Sequence, residues 1–266
     1  MSDVIVYVLY ALIATSCTWL MTALGALTVI FFNSENHRLM NLMLGFAAGV
    51  MIAASFWSLL EPAVARAEAD GSPAWLVASA GFICGAAFLW ASDRIVSFAR
   101  KRERAQLPAE KKSRTSLLVM SVTLHNIPEG LAVGVAFGAL SETPDPQAVM
   151  GAAVIALGIG VQNFPEGAAV SLPLRREGMS KLKSFMIGQA SAIVEPIAGV
   201  IGAAAVVYVE AILPFALAFA AGAMILVAVH ELIPECQRTE SADSYSATFG
   251  IVAGFAVMML LDVALG

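Results

Sequence analysis

The sequence predicts an all-α membrane protein of eight transmembrane helices with an inverted repeat, and three observations carry that reading. Of its 266 residues, 59% are hydrophobic and only 13% charged, where a soluble domain runs near ~25% charged. The apolar residues gather into eight runs that reach the roughly 20 residues a helix needs to cross a bilayer. Fourteen of the fifteen Lys and Arg fall on one side when those runs are threaded alternately.

The first run, 4–32, follows Met1-Ser2-Asp3, which has no basic segment. It is too long for the core of a signal peptide and reads as the first span. The second and third runs are 39–60 and 74–98. A basic loop, 99–115, carries Arg100, Lys101, Arg102, Arg104, Lys111, Lys112 and Arg114. Runs four and five are 116–140 and 147–173, and their far end is followed by Arg175, Arg176, Lys181 and Lys183. Runs six and seven, 182–208 and 211–235, are joined tightly, with a turn expected near Glu210 to Pro214. The last run is 245–265. Arg38, Arg94 and Arg238 share the side of the basic loop, and only Arg66 lies opposite. Basic loops stay cytoplasmic, so both termini are expected outside a cell membrane, on a single transmembrane domain spanning 1–266.

Composition also excludes. No basic patch combines with exposed aromatics, so nucleic acid is not an expected partner. The three cysteines, Cys17, Cys84 and Cys236, form no C-x-x-C pair, which removes zinc knuckles and disulfide frameworks. No phosphate-binding loop is present, so neither ATP nor an organic cofactor is expected.

The centre of the chain is a doubled motif. His125-Asn126-Ile127-Pro128-Glu129-Gly130 in span four is nearly repeated as Gln162-Asn163-Phe164-Pro165-Glu166-Gly167 in span five. A carboxylate inside a membrane helix costs about 2.5–3.5 kcal/mol on insertion scales. A proline there also removes one helical hydrogen bond. Meeting both costs twice, in matched order, asks for a functional reason. His125, Asn126 and Glu129 share one helical face, as do Gln162, Asn163 and Glu166. At 1.5 Å per residue the first group sits about 15–21 Å from the basic side and the second about 12–18 Å. Glu195, before Pro196 in span six, reaches ~18 Å by the same rise. Imidazole, amide oxygen and carboxylate converging at one depth make a mixed nitrogen/oxygen site for a divalent metal.

Lesser features divide differently. Gly130, Gly134 and Gly138, Gly45 and Gly49, and Gly250 and Gly254 are spaced for close helix packing. His230-Glu231-Leu232-Ile233-Pro234 begins like the H-E-x-x-H zinc-protease helix, but Pro234 stands where the second histidine would, so no enzyme is expected. Repeated motifs at mid-membrane on antiparallel helices instead suggest a gradient-driven carrier. A cation channel using the same buried carboxylates remains the alternative.

At the paired Pro-Glu-Gly motifs the chain resembles the ZIP (Zrt/Irt-like protein) metal transporters of the prokaryotic GufA-type branch. The resemblance implies a ZIP-like helix bundle, a homodimer in the membrane and divalent metal as substrate, carried into the cytoplasm. Zinc comes first, with cadmium, iron, manganese or cobalt as wider possibilities. It implies a principal ion held by His125, Glu129, Glu166 and Gln162. A second would lie among Asn126, Glu129, Asn163, Glu166 and Glu195, the two glutamates of the motifs bridging. It also implies an exit site near Asp93, His230 and Glu231 and an entrance near Met51 and Ser58. Gln162 and Asn163 depart from the histidine and acid of many relatives, and loop 99–115 lacks histidine.

Overall fold

A computed structural model describes residues 2–31, 37–105, 115–140, 146–176, 178–208, 210–237 and 245–265. Those residues are helical, with short turns and no strand. Helix α1 covers Ser2–Phe31, and α2, His37–Ala54, runs through a π turn at Ser55–Leu60 into α3, Glu61–Ala69. Next come α4, Ala74–Ala105, and the two motif helices, α5, Thr115–Gly138, and α6, Pro146–Arg176. The sixth apolar run is divided into α7, Lys181–Ala190, and α8, Val194–Tyr208. A 3₁₀ turn at Glu210–Ile212 leads into α9, Leu213–Val227. A second π turn, Ala228–Leu232, leads into α10, Ile233–Cys236, and α11 closes the fold at Tyr245–Leu265.

Seven runs among the described residues are long and apolar enough to cross a membrane: Ile5–Phe31, Arg38–Ala69, Ala74–Ile95, Pro146–Arg175, Lys181–Val207, Leu213–Cys236 and Tyr245–Leu265. Helix α5, 24 residues long, is not among the seven. Two expected boundaries move. Span two does not stop at residue 60 but continues to Ala69, and α4 runs seven residues into the expected loop 99–115. In both places charge ends the apolar run without ending the helix, because Glu, Lys, Arg and Ala all favour helix. The rest of that loop, 106–114, lies outside the described residues, as does Arg238.

Prolines shape the breaks. Pro62 and Pro234 each follow a π turn by two residues. Proline has no N–H to offer the preceding turn, and the ladder there is closed one residue wider: Glu61 N donates to Phe56 O and Ile233 N to Ala228 O.

Large apolar side chains lie on the flanks of the molecule as well as in its core. Trp75, Ile95 and Phe249 are 74%, 69% and 66% exposed on its flanks, as lipid-facing side chains should be. Its interior holds glutamates, amides and threonines. The most extensive helix pairings are α2 with α11, α1 with α6, α5 with α8 and α4 with α9. The glycine stripes lie on these seams. A Cβ at Gly49 would stand 2.1 Å from Ile251 O and one at Gly254 2.0 Å from Phe46 O, so α2 and α11 touch backbone to backbone.

Candidate metal centre

Both motif helices continue through their prolines, Pro128 in α5 and Pro165 in α6. Asn126, Glu129, Gln162, Asn163 and Glu195 are completely buried and Glu166 nearly so. Polar side chains of α5, α6 and α8 are thus buried in the interior. His125 lies on α5, but its side chain is outside the described set.

The break between α7 and α8 prepares part of this polar interior. Pro196 cannot donate to Ala192 O, the carbonyl four residues back. Glu195 N takes that carbonyl instead, at 3.0 Å. This releases Ser191 O, which would otherwise accept from Glu195 N in a regular helix. Asn126 Nδ2 donates to it at 3.0 Å. The amide of Asn126 is thus tethered by its nitrogen, with Oδ1 left unpartnered.

The other two amides each serve a carboxylate. Gln162 Nε2 donates to Glu129 Oε1 at 2.7 Å. Asn163 Nδ2 donates to Glu195 Oε1 and Oε2, both at 2.9 Å, and to Thr18 O at 3.2 Å. Four buried amide and carboxylate oxygens of these residues remain without a partner: Asn126 Oδ1, Glu129 Oε2, Gln162 Oε1 and Asn163 Oδ1. Each such atom costs about 1–3 kcal/mol when left unsatisfied, and natural interiors hold few of them. All four are acceptors, so what they lack is a donor or a cation. Glu166 and Glu195 are also close enough to Glu129 to act on its charge.

Among the described residues, no three His, Cys, Asp or Glu side chains stand close enough to form a metal-ligating group. The polar atoms on view are therefore amide and carboxylate oxygens, a hard-oxygen set.

Sequence reading missed Thr18. It lies in α1, is 2% exposed, and its Oγ1 donates to Glu195 Oε2 at 2.5 Å. A signal was present: Thr15, Thr18 and Thr22 fall at helical spacing on one face of an apolar span.

The two outlying sites fare differently. Asp93, His230 and Glu231 come together, with Trp90, around a pocket of about 40 Å³, and His230 and Glu231 belong to the second π turn. Arg94 lies over the Trp90 ring, 5.6 Å from its centroid. At the opposite end of the bundle, Ser58 lines a cavity of about 590 Å³ with Glu61, Arg66 and Asp262. Ser58 Oγ donates to Asp262 Oδ1 at 2.5 Å. Met51 is not among its lining residues and is fully buried in the apolar core. Asp262 was not anticipated, since a lone acid near the end of a span reads as interfacial.

Comparison with known proteins gives one consistent answer. The family model described as ZIP Zinc transporter matches residues 102–262. The chain is 39% identical to Zinc transporter ZIP11 of Homo sapiens, over 97% of this chain and 98% of that protein. It is 36% identical to Zinc transporter GufA of Myxococcus xanthus, over 96% and 98%. It is also 36% identical to Zinc transporter ZIPB of Bordetella bronchiseptica, over 98% and 83%.

Proposed function

The chain belongs to the ZIP zinc transporter family, and from that premise we propose that it carries divalent metal, zinc foremost, into the cytoplasm through the buried cluster of α5 and α6. The observation that carries this site assignment is the set of four unpartnered acceptor oxygens buried on the two motif helices of a membrane protein. A divalent cation supplies what they lack.

Binding at this cluster requires only local motion. In the structure Gln162 and Asn163 hold their N–H groups against Glu129 and Glu195. The terminal torsion of an amide is broad and nearly two-fold. Turning it exchanges nitrogen for oxygen with almost no change of shape. The N–H groups thus stand in for positive charge, and their own oxygens replace them when an ion arrives. Glu129 and Glu166 then bridge, His125 adds its imidazole, and Asn126 presents an oxygen already aimed by Ser191. Asn126, Asn163 and Glu195 would hold a second ion.

An eighth crossing by α5 puts both motifs at mid-membrane, with both termini outside the cell membrane and loop 99–115 in the cytoplasm. The helix pairings support an inverted repeat. Exchanging span one with six, two with seven, three with eight and four with five turns the α1–α6 pair into α5–α8. It likewise turns α2–α11 into α4–α9. The recurrence of a π turn two residues before Pro62 and Pro234 follows the same exchange. The cavity beside Ser58 and Asp262 is the outer entrance and the pocket of Asp93, His230 and Glu231 the cytoplasmic exit. Access alternates between them, in a homodimer that needs no organic cofactor.

Metal uptake into proteoliposomes tests this. Zinc should accumulate faster than manganese or iron, saturably, and Glu129→Ala should abolish accumulation while the protein stays folded. Wild-type uptake by a folded Glu129→Ala would refute the site. Flux above about 10³ s⁻¹, beyond the turnover typical of proteins that work by cycles, would favour a channel.

A further inference from the structure

We infer that Thr18 of α1 is a positioning residue of the metal centre, its hydroxyl holding the Glu195 carboxylate in place from a fourth helix. This rests on the reading of the buried cluster as the metal site.

Helix α1 packs along α6 and also touches α8, α7 and α5, so it borders every helix that contributes to the cluster. Two close approaches bring it there. A Cβ at Gly167 would meet Thr22 O at 2.0 Å, and one at Gly199 would meet Thr15 Cγ2 at 2.5 Å. Thr18 lies between these two residues on the same face of α1, level with Glu195.

Hydrogen accounting gives its role. The Thr18 hydroxyl has one hydrogen and two acceptors within reach, Thr15 O at 2.9 Å and Glu195 Oε2 at 2.5 Å. A carboxylate is the stronger acceptor and its bonds from hydroxyls are the shorter ones. Thr15 O already has the helix's own N–H donor, so donating to Glu195 leaves no backbone group unserved. The residue also accepts: Asn163 Nδ2 reaches Thr18 O at 3.2 Å while bonding both Glu195 oxygens. One residue of α1 therefore ties the amide of α6 to the carboxylate of α8.

The carbonyl contact survives any substitution, whereas the hydroxyl contact does not. Without the hydroxyl, Glu195 keeps the Asn163 amide, with the Thr22 hydroxyl close by. That amide is the group that must turn when its oxygen faces an ion. Thr18 is then the hydroxyl in direct hydrogen-bond contact that keeps Glu195 oriented during the exchange. Partners that orient a ligand in this way typically contribute about 10–100-fold to metal affinity.

Two pairs of variants isolate the hydroxyl from packing. Thr18→Val keeps the shape of threonine and removes the donor. Thr18→Ser and Thr18→Ala differ from each other only in the hydroxyl. Zinc affinity of the purified full-length chain, titrated against a chromogenic chelator, is the readout, with thermal unfolding of the metal-free protein beside it. We expect Thr18→Val and Thr18→Ala to bind zinc about 10–100-fold more weakly, and Thr18→Ser to return close to wild type. Should Thr18→Val fail to fold, the Ser/Ala pair decides alone. Wild-type affinity in Thr18→Ala, or equal loss in Thr18→Ser and Thr18→Ala, would overturn the inference. Failure of the wild-type chain itself to bind zinc would instead overturn the reading of the cluster as a metal site.

Discussion

Gly130→Ala tests whether the α5–α8 seam sets the geometry of the proposed metal centre. A methyl group at this position would stand 2.4 Å from Glu195 O, 2.8 Å from Glu195 Cα and 2.9 Å from Ala198 Cβ. Two of these atoms are backbone and the third, an alanine Cβ, is fixed to it, so no side chain can swing away. Ordinary contact begins at 3.4 Å, so α5 and α8 must part by about 1 Å. Forcing extra volume into a packed contact costs about 1–3 kcal/mol. The atoms struck belong to Glu195 itself, so its carboxylate moves away from Asn163 and Thr18. Stability and zinc affinity should therefore fall together, affinity by about tenfold or more if the orienting contacts are lost. Gly151→Ala is the matched control. Nothing lies within 4 Å of its added Cβ, and the change from Gly to Ala should stabilise α6 by up to about 1 kcal/mol. The assays are thermal unfolding in detergent and zinc titration of both variants. If Gly130→Ala melts and binds zinc as Gly151→Ala does, the two helices are not in backbone contact at this point and the reasoning fails.

Three further outcomes are expected. Gln162→His should tighten zinc binding, because an imidazole nitrogen replaces an amide oxygen; unchanged affinity by competition titration would remove Gln162 from the ligand set. Pro196→Ala should give a folded protein with zinc affinity lowered about tenfold or more. The restored N–H recaptures Ala192 O, Glu195 N returns to Ser191 O, and Asn126 loses its tether; wild-type affinity would show that the helix break does not aim Asn126. Asp262→Asn should raise the KM for zinc uptake with little change in kcat, since an entrance carboxylate acts before the ion reaches the buried cluster. A lowered kcat at unchanged KM would place Asp262 elsewhere in the transport cycle.

What the sequence determined by itself is whatever is written locally. Apolar runs of membrane-crossing length, the charge that separates them, and the helical register of Asn126 with Glu129 or Gln162 with Glu166 depend only on nearby residues and the 3.6-residue turn. The depth argument for Glu195 needed no more than a rise per residue, and the structure buries it with the motif residues. Helix ends were less legible. Hydropathy reports where lipid stops, whereas α3 and the end of α4 continue on helix-forming charged residues.

Only the tertiary structure decided which donors meet which acceptors. Thr18 and Glu195 are 177 residues apart, Ser58 and Asp262 204. A buried hydroxyl in an apolar span can always return its hydrogen to its own helix, as Thr15 does with Ala11 O, so its sequence does not reveal a distant partner. Nor does Glu195-Pro196 by itself say that the carbonyl it frees, Ser191 O, will be taken by Asn126 of α5. Those pairings exist because glycine seams bring backbones together until polar groups of four helices share one dry space. There donors and acceptors of different helices meet, and several acceptors are left over.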